Sequence, residues 1–191
     1  MRTLKLEENN LQGSIPKELG NLAALETLHL RNSQLSGAIP EALGTLRDMS
    51  TLRLEGNGLT GVIPKELGRL FRLETLRLDR NQFSGHIPPQ LGNLSALKEL
   101  RLGTNTLAGI IPKELGCLSN LQLLDLGVNE LTGPIPKELG DLSSLRSLKL
   151  QRSRLTGKDG CFRMLSSLPR LRCLWERLSE IQTRPDSVSR L

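Results

Sequence analysis

Tyrosine is absent from the 191 residues, Trp occurs once, His twice, and Phe and Cys three times each. An aromatic share of 2% excludes a compact interior built on rings, so aliphatic side chains must fill the core. Three cysteines cannot all pair with one another. Cys117, Cys161 and Cys173 match no zinc spacing of two close Cys pairs, so they read as reduced structural thiols with no metal. No run approaches the roughly 18 apolar residues that a membrane helix needs, and the opening MRTLKLEENN lacks the apolar segment of a secretion signal. As given, the chain reads as intracellular; as a fragment of a receptor it would be extracellular.

Counting its 18 glycines with the 37% of hydrophobic residues brings the apolar share to about 46%, the range of a folded soluble protein rather than a disordered one. The net charge of +6 is uneven. Residues 145–191 hold 11 Lys or Arg against 4 Asp or Glu, while residues 1–144 hold 15 against 16. The basic excess therefore belongs to the C-terminal quarter, where solvated surface charge is the plainest reading.

A period of 24 residues organises the rest. Coils begin at Met1, Leu25, Met49, Leu73, Leu97, Leu121 and Leu145, and each follows LxxLxLxxNxLxGxIPxELGxLxx, the seventh only as far as Gly157. Leucine or a close substitute holds coil positions 1, 4, 6, 11, 19 and 22, with Ile15, Ile39, Ile63, Ile87, Ile111 and Ile135 at position 15. A lone coil has nothing to bury these side chains against, so the coils must stack.

Positions 3 to 7 alternate, as in Thr51-Leu52-Arg53-Leu54-Glu55, which predicts one short half-buried strand per coil. Strands that always run the same way form a parallel sheet with right-handed crossovers. In the return segment IPxELG, the prolines from Pro16 to Pro136 fit the opening of a helical turn. The glycines from Gly20 to Gly140 are expected to end that turn by accepting a positive φ. Asn9, Asn57, Asn81, Asn105 and Asn129 recur where the strand bends, and a buried amide there can both donate to and accept from the turn backbone. They read as a structural ladder. Ser33 and Ser153 replace Asn in that column, and looser coils are expected around them.

With these residues the chain resembles the plant-type leucine-rich repeat proteins, whose coil is LxxLxLxxNxLxGxIPxxLGxL. The resemblance implies an α/β fold: a right-handed solenoid with a parallel concave sheet, one short strand per coil, and short helical turns on the convex side. It covers residues 1–157, about seven coils. Such proteins include ectodomains of receptor-like kinases and receptor-like proteins, and inhibitors of cell-wall-degrading enzymes. The resemblance implies recognition of a protein or peptide on the concave face, in signalling or defence, and not catalysis. Three roles follow: a recognition module, the ligand-binding exterior of a receptor, or an inhibitor of a secreted hydrolase. The chain opens inside a coil, so either a longer protein or another chain is expected to cover that end. Residues 158–183 read as a degenerate last coil and a helical cap, in which Leu171, Leu174, Trp175, Leu178 and Ile181 fall at helical spacing, and residues 184–191 as a flexible tail.

Coil position 5 gives Lys5, His29, Arg53, Arg77, Arg101, Asp125 and Lys149, stacked roughly 4.8 Å apart on the concave face. Arg53, Arg77 and Arg101 are candidates for bidentate contacts to an acidic peptide, a carboxylate or an anionic glycan. Asp79, Thr75, Glu55 and His29 share that face, and internal counter-charge is offered by Glu7, Glu55 and Asp79 on the same face and by Glu26, Glu74 and Glu99 along its flank. The near-neutral array without stacking aromatics argues against nucleic acid. His29, Asp125 and a serine cannot form a catalytic triad, because strands four coils apart lie roughly 19 Å apart. No motif calls for a metal or cofactor. Asn93-Leu94-Ser95 matches the N-glycosylation pattern on the convex side.

Overall fold

The computed structural model describes residues 1–156. The expected cap and tail, with Trp175, lie outside the described residues. Seven strands of three residues form one parallel sheet: β1 (Thr3–Lys5), β3 (Thr27–His29), β5 (Thr51–Arg53), β7 (Thr75–Arg77), β9 (Glu99–Arg101), β11 (Leu123–Asp125) and β13 (Ser147–Lys149). Their register is constant, Leu4 facing Leu28, Leu28 facing Leu52, and so on to Leu124 facing Leu148. The alternation puts one leucine of each strand inward and its two neighbours outward, both polar except in β11, where Leu123 takes the first outward place, and a 24-residue repeat brings equivalent positions back beside one another.

Each coil then adds a second strand, which the sequence pattern does not reveal. Strands β2 (Gln12–Ser14), β4 (Gln34–Gly37), β6 (Gly58–Val62), β8 (Gln82–Gly85), β10 (Thr106–Gly109), β12 (Glu130–Pro134) and β14 (Arg154–Thr156) form a second parallel sheet. Each of the first six of these strands holds, in most of them at or next to its C-terminal end, a glycine with positive φ, from +74° at Gly37 and Gly85 to +82° at Gly13, a conformation that L side chains resist. A glycine there reads as a strand breaker, which is why the segment looks like loop in sequence.

Return turns of 3₁₀ helix follow, at Lys17–Asn21, Glu41–Thr45, Lys65–Arg69, Pro89–Asn93, Lys113–Cys117 and Lys137–Asp141. A proline with extended backbone precedes each, such as Pro64 at φ −64° and ψ 128°. The glycines of these turns do not work as expected. They lie inside the turn, not past its end, and their φ is not positive; Leu22, Leu46 and their counterparts end the turns. Their role is close approach: a Cβ on Gly20 would lie 2.5 Å from the Ala42 carbonyl oxygen, and one on Gly44 2.5 Å from that of Glu66. Neighbouring turns stack backbone on backbone, and only hydrogen fits between them.

The interior is a single aliphatic column in which Leu28, Leu52, Leu76, Leu100 and Leu124 are fully buried, and among the described residues Phe83 is the one ring within it. Leu4 and Leu148, in the first and last described coils, are only partly buried. Among the described residues each of these two coils has one neighbouring coil, which covers one side of its leucines.

Candidate functional site

The outward side chains of the first sheet line a groove of about 400 Å³, bordered by Thr3, Lys5, Thr27, His29, Thr51, Arg53, Thr75, Arg77 and Glu99. Two columns make it. The position-3 threonines stand in register, Thr3 beside Thr27, Thr27 beside Thr51, and Thr51 beside Thr75. The position-5 basic residues run parallel to them, two residues further along each strand. Thr75 was singled out in the sequence; Thr3, Thr27 and Thr51 were not, although their shared coil position was the available signal.

The arginines do not stand free. Arg53 donates from Nη2 to Glu55 Oε1 at 2.6 Å and from Nε to the same oxygen at 3.1 Å. Glu55 is 5% exposed, an unusual burial for a carboxylate, and it is tolerable because cations flank it. Arg77 lies 3.6 Å from Glu55, 3.7 Å from Asp79 and 3.9 Å from Glu99, inside ion-pair range of all three. Arg101 donates to Glu99. Three guanidiniums and three carboxylates thus interleave over coils 3 to 5 and the centre of the groove is neutral; Arg53 and Arg101 are oriented by hydrogen bonds to an acid, whereas the buried Arg77 Nε has three carboxylates in ion-pair range and no hydrogen-bond partner.

Burial pushes the Asp79 carboxyl above its usual range, opposed by the adjacent Arg77. At the N-terminal end of the groove, His29 Nδ1 lies 3.4 Å from Glu7 Oε1. Burial depresses the His29 imidazole, and the Glu7 contact opposes that only in part. Glu7 itself is lowered, first by its hydrogen bond to backbone and then by His29 and Arg31. Toward the other end, Asp125 accepts the Gly127 N–H at 3.1 Å and lies 3.4 Å from Lys149.

The asparagine column lies apart from this groove, inside the turns. Asn81 is typical: Nδ2 donates to the carbonyls of Leu54 at 3.0 Å and Leu78 at 3.2 Å, and Oδ1 accepts the Leu59 N–H at 3.1 Å. Asn57, Asn105 and Asn129 repeat these bonds, whereas Asn9 in the first coil donates only within its own turn. Ser33 Oγ and Ser153 Oγ are buried without a hydrogen-bond partner. Asn93 is exposed at the end of the Pro89–Asn93 turn, away from the groove. Among the described residues no group of His, Cys, Asp and Glu is arranged to hold a metal ion, and no helix is long and apolar enough to cross a membrane.

Residues 52–189 match the family model described as a leucine-rich repeat region, and residues 1–22 and 24–46 match that of the single leucine-rich repeat. No curated protein matches the chain. Solved structures do. The ectodomain of the Arabidopsis thaliana membrane receptor kinase GASSHO1/SCHENGEN3, in complex with CASPARIAN STRIP INTEGRITY FACTOR 2, is 44% identical with a TM-score of 0.81, over 81% of this chain and 19% of that one. The ectodomain of the Arabidopsis receptor kinase HAESA, in complex with an N-terminally extended IDA peptide hormone, is 42% identical with a TM-score of 0.76, over 78% and 26%. A pollen receptor kinase 3 is 33% identical with a TM-score of 0.75, over 82% and 76%. The chain therefore spans about a fifth to a quarter of the GASSHO1/SCHENGEN3 and HAESA ectodomains.

Proposed function

The chain belongs to the leucine-rich repeat family, with a fold like that of plant receptor ectodomains, and from that premise we propose that it is a non-enzymatic recognition module that binds a peptide or protein segment along the groove of its first sheet, in signalling or defence-like recognition. The observation that carries this reading is the pairing of two columns in one groove: threonine hydroxyls lining it beside arginines already held in place by Glu55 and Glu99. Fixing side chains before the partner arrives removes part of the ordering cost of binding. The complexes of the similar GASSHO1/SCHENGEN3 ectodomain with CASPARIAN STRIP INTEGRITY FACTOR 2 and of HAESA with an IDA peptide hormone support a ligand-binding role for this fold.

The partner's chemistry follows from the charge balance. An acidic group on a peptide reaches Arg53, Arg77 or Arg101 by displacing or sharing a resident carboxylate, so a bare polyanion gains little. A partner offering one or two carboxylates among neutral hydrogen-bonding groups suits both columns. The test is selection of peptides from a random display library on the full chain, followed by titration against a variant carrying Arg53→Ala, Arg77→Ala and Arg101→Ala. A loss of affinity of roughly tenfold or more is expected. Undiminished binding to the triple variant rejects the groove as the site.

A second reading is favoured by the share of the relatives that the chain spans: a segment of the ligand-binding exterior of a receptor-like kinase or receptor-like protein. Mapping the full transcript across both ends of this sequence distinguishes a segment from a free-standing module.

A further inference from the structure

The second sheet presents a face unlike the rest of the molecule. Coil position 14 gives Ser14, Ala38, Val62, His86, Ile110 and Pro134, all exposed. Position 12 of the same coils carries Gln, Ser, Thr, Ser, Ala and Thr, and position 10 of the first five coils is uncharged as well. With charged residues at 24% of the chain, seventeen positions on one face without Asp, Glu, Lys or Arg is a marked local exclusion.

Two of the described residues that are large, hydrophobic and exposed lie here, Val62 at 60% and Ile110 at 61%. Both lie flat. A Cβ on Gly85 would meet Val62 Cγ1 at 3.0 Å, and one on Gly133 would meet Ile110 Cγ2 at 2.9 Å, while His86 covers Gly109 in the same way. The position-14 side chains thus form a ridge over the glycines of the next coil, and the small residues of position 12 form a trough beside it. Some hydroxyls in and beside that trough are already satisfied, Thr106 donating to the Phe83 carbonyl at 2.9 Å and Thr132 to that of Gly109 at 3.4 Å. Covering them forfeits little hydration.

We propose that this face is a self-association surface, on which a second copy of the chain lies antiparallel so that the ridge of each enters the trough of the other. An isologous contact sets a patch against itself, so any net charge on the patch repels its own copy. The groove, with its arginine and acid columns, is poorly suited to that; the uncharged face is free of the penalty. A two-fold axis near His86 sets Val62 of each copy against Ile110 of the other. Turned about that axis, coils 2 to 6 overlap their copies, and four coil intervals of about 4.8 Å and two strand steps of about 6.6 Å give roughly 400 Å² per copy with side-chain margins, about 800 Å² in all, the low end of weak, reversible contacts. Because it leaves the groove open, it is compatible with partner binding.

Sedimentation equilibrium on the full chain tests this. The expected result is a reversible rise in average mass above 21.1 kDa with concentration, only weakly sensitive to added salt because Glu130, at the rim in coil 6, is the one Asp, Glu, Lys or Arg at positions 10, 12 and 14 of coils 2 to 6. Ile110→Glu and, separately, Val62→Glu should each weaken it about tenfold or more while leaving the circular dichroism and melting curve unchanged, since both side chains are solvent-facing. Arg53→Ala should leave it intact. A mass that stays monomeric up to the solubility limit overturns the proposal, and so does an association that survives either glutamate substitution or collapses in salt.

Discussion

Glu55 accepts two hydrogen bonds from Arg53, two residues earlier on the same side of the sheet, and lies 3.6 Å from Arg77 in the next coil. One nearly buried carboxylate therefore orients Arg53 by hydrogen bonds and offsets the charge of Arg77, whose Nε has no hydrogen-bond partner. Replacing it leaves both guanidiniums partly buried and mutually repelling, by roughly 0.8 kcal/mol per pair at 5 Å even at the dielectric of water. Glu55→Ala is expected to lower stability by about 1–3 kcal/mol in urea denaturation. It should also tighten binding of a simple anionic probe, such as a tri-glutamate peptide, by freeing Arg53. A variant of unchanged stability and anion affinity shows that the acids do not hold the arginines.

The core and the coil boundaries were legible because leucine at fixed positions leaves only one way to bury it. The groove was legible in part. Arg53, Arg77 and Arg101 stand out as a column, and Glu55, Asp79 and Glu99 were visible as counter-charge, but which acid meets which arginine depends on side-chain reach across 4.8 Å, which spacing does not encode. Three features stayed hidden for one reason: they depend on contact between coils, not on patterning within one. The second sheet, the tight approach at Gly20 and Gly44, and the flat lie of Val62 and Ile110 become visible only when coil is set against coil. Position 8 is similar. Glu8, Asn32, Arg80, Thr104, Val128 and Arg152 all have positive φ, and only Asn32 is of a type that suggests it.

That strain makes Arg80→Gly informative. Arg80 is exposed with φ +57°, and Gly56 already fills the equivalent place in the preceding coil with φ +71°. Relief of left-handed strain, about 1–2 kcal/mol, outweighs the added freedom of glycine in the unfolded chain, about 0.5–1 kcal/mol. A gain of up to about 1 kcal/mol is expected, read as a higher urea midpoint at unchanged slope. A lower midpoint assigns Arg80 a contact that outweighs its strain.

Gly44→Ala and Gly13→Ala separate the two uses of glycine. The first places a methyl 2.5 Å from a backbone oxygen that cannot yield without parting two coils, and should cost about 3 kcal/mol. The second meets nothing within 4 Å but retains a positive φ of 82°, and should cost about 1 kcal/mol. Equal losses by calorimetry would show that steric approach is not what distinguishes the two columns.

The asparagine column allows a loss and a gain. Asn81→Ala leaves the Leu54 and Leu78 carbonyls and the Leu59 amide without their side-chain partner in a buried turn, an expected cost of about 3 kcal/mol. Ser33→Asn supplies an amide where a hydroxyl finds no partner, with an expected gain of about 1 kcal/mol. In the unmodified chain, amide hydrogen exchange should be faster around Ser33 than around Asn81. Equal protection at the two sites removes the argument.

His29 should govern stability on mild acidification. Its folded-state value lies below the usual imidazole value of about 6.5, with burial as the first cause, so the folded chain holds the neutral ring. A group depressed on folding contributes stability that is present above its unfolded value and is lost as pH falls through the folded one. Melting temperature should therefore decline as pH drops below about 6.5, before the carboxylates titrate. Asp79 acts in the opposite sense and at lower pH: its raised value favours the folded state below the usual carboxylate range, and that contribution disappears as pH rises through the folded value. His29→Gln should flatten the profile between about pH 6.5 and 5 and leave the steeper acid limb in place. A profile that keeps its slope over that interval in the variant transfers the effect to another group and removes His29 from the electrostatics of the groove.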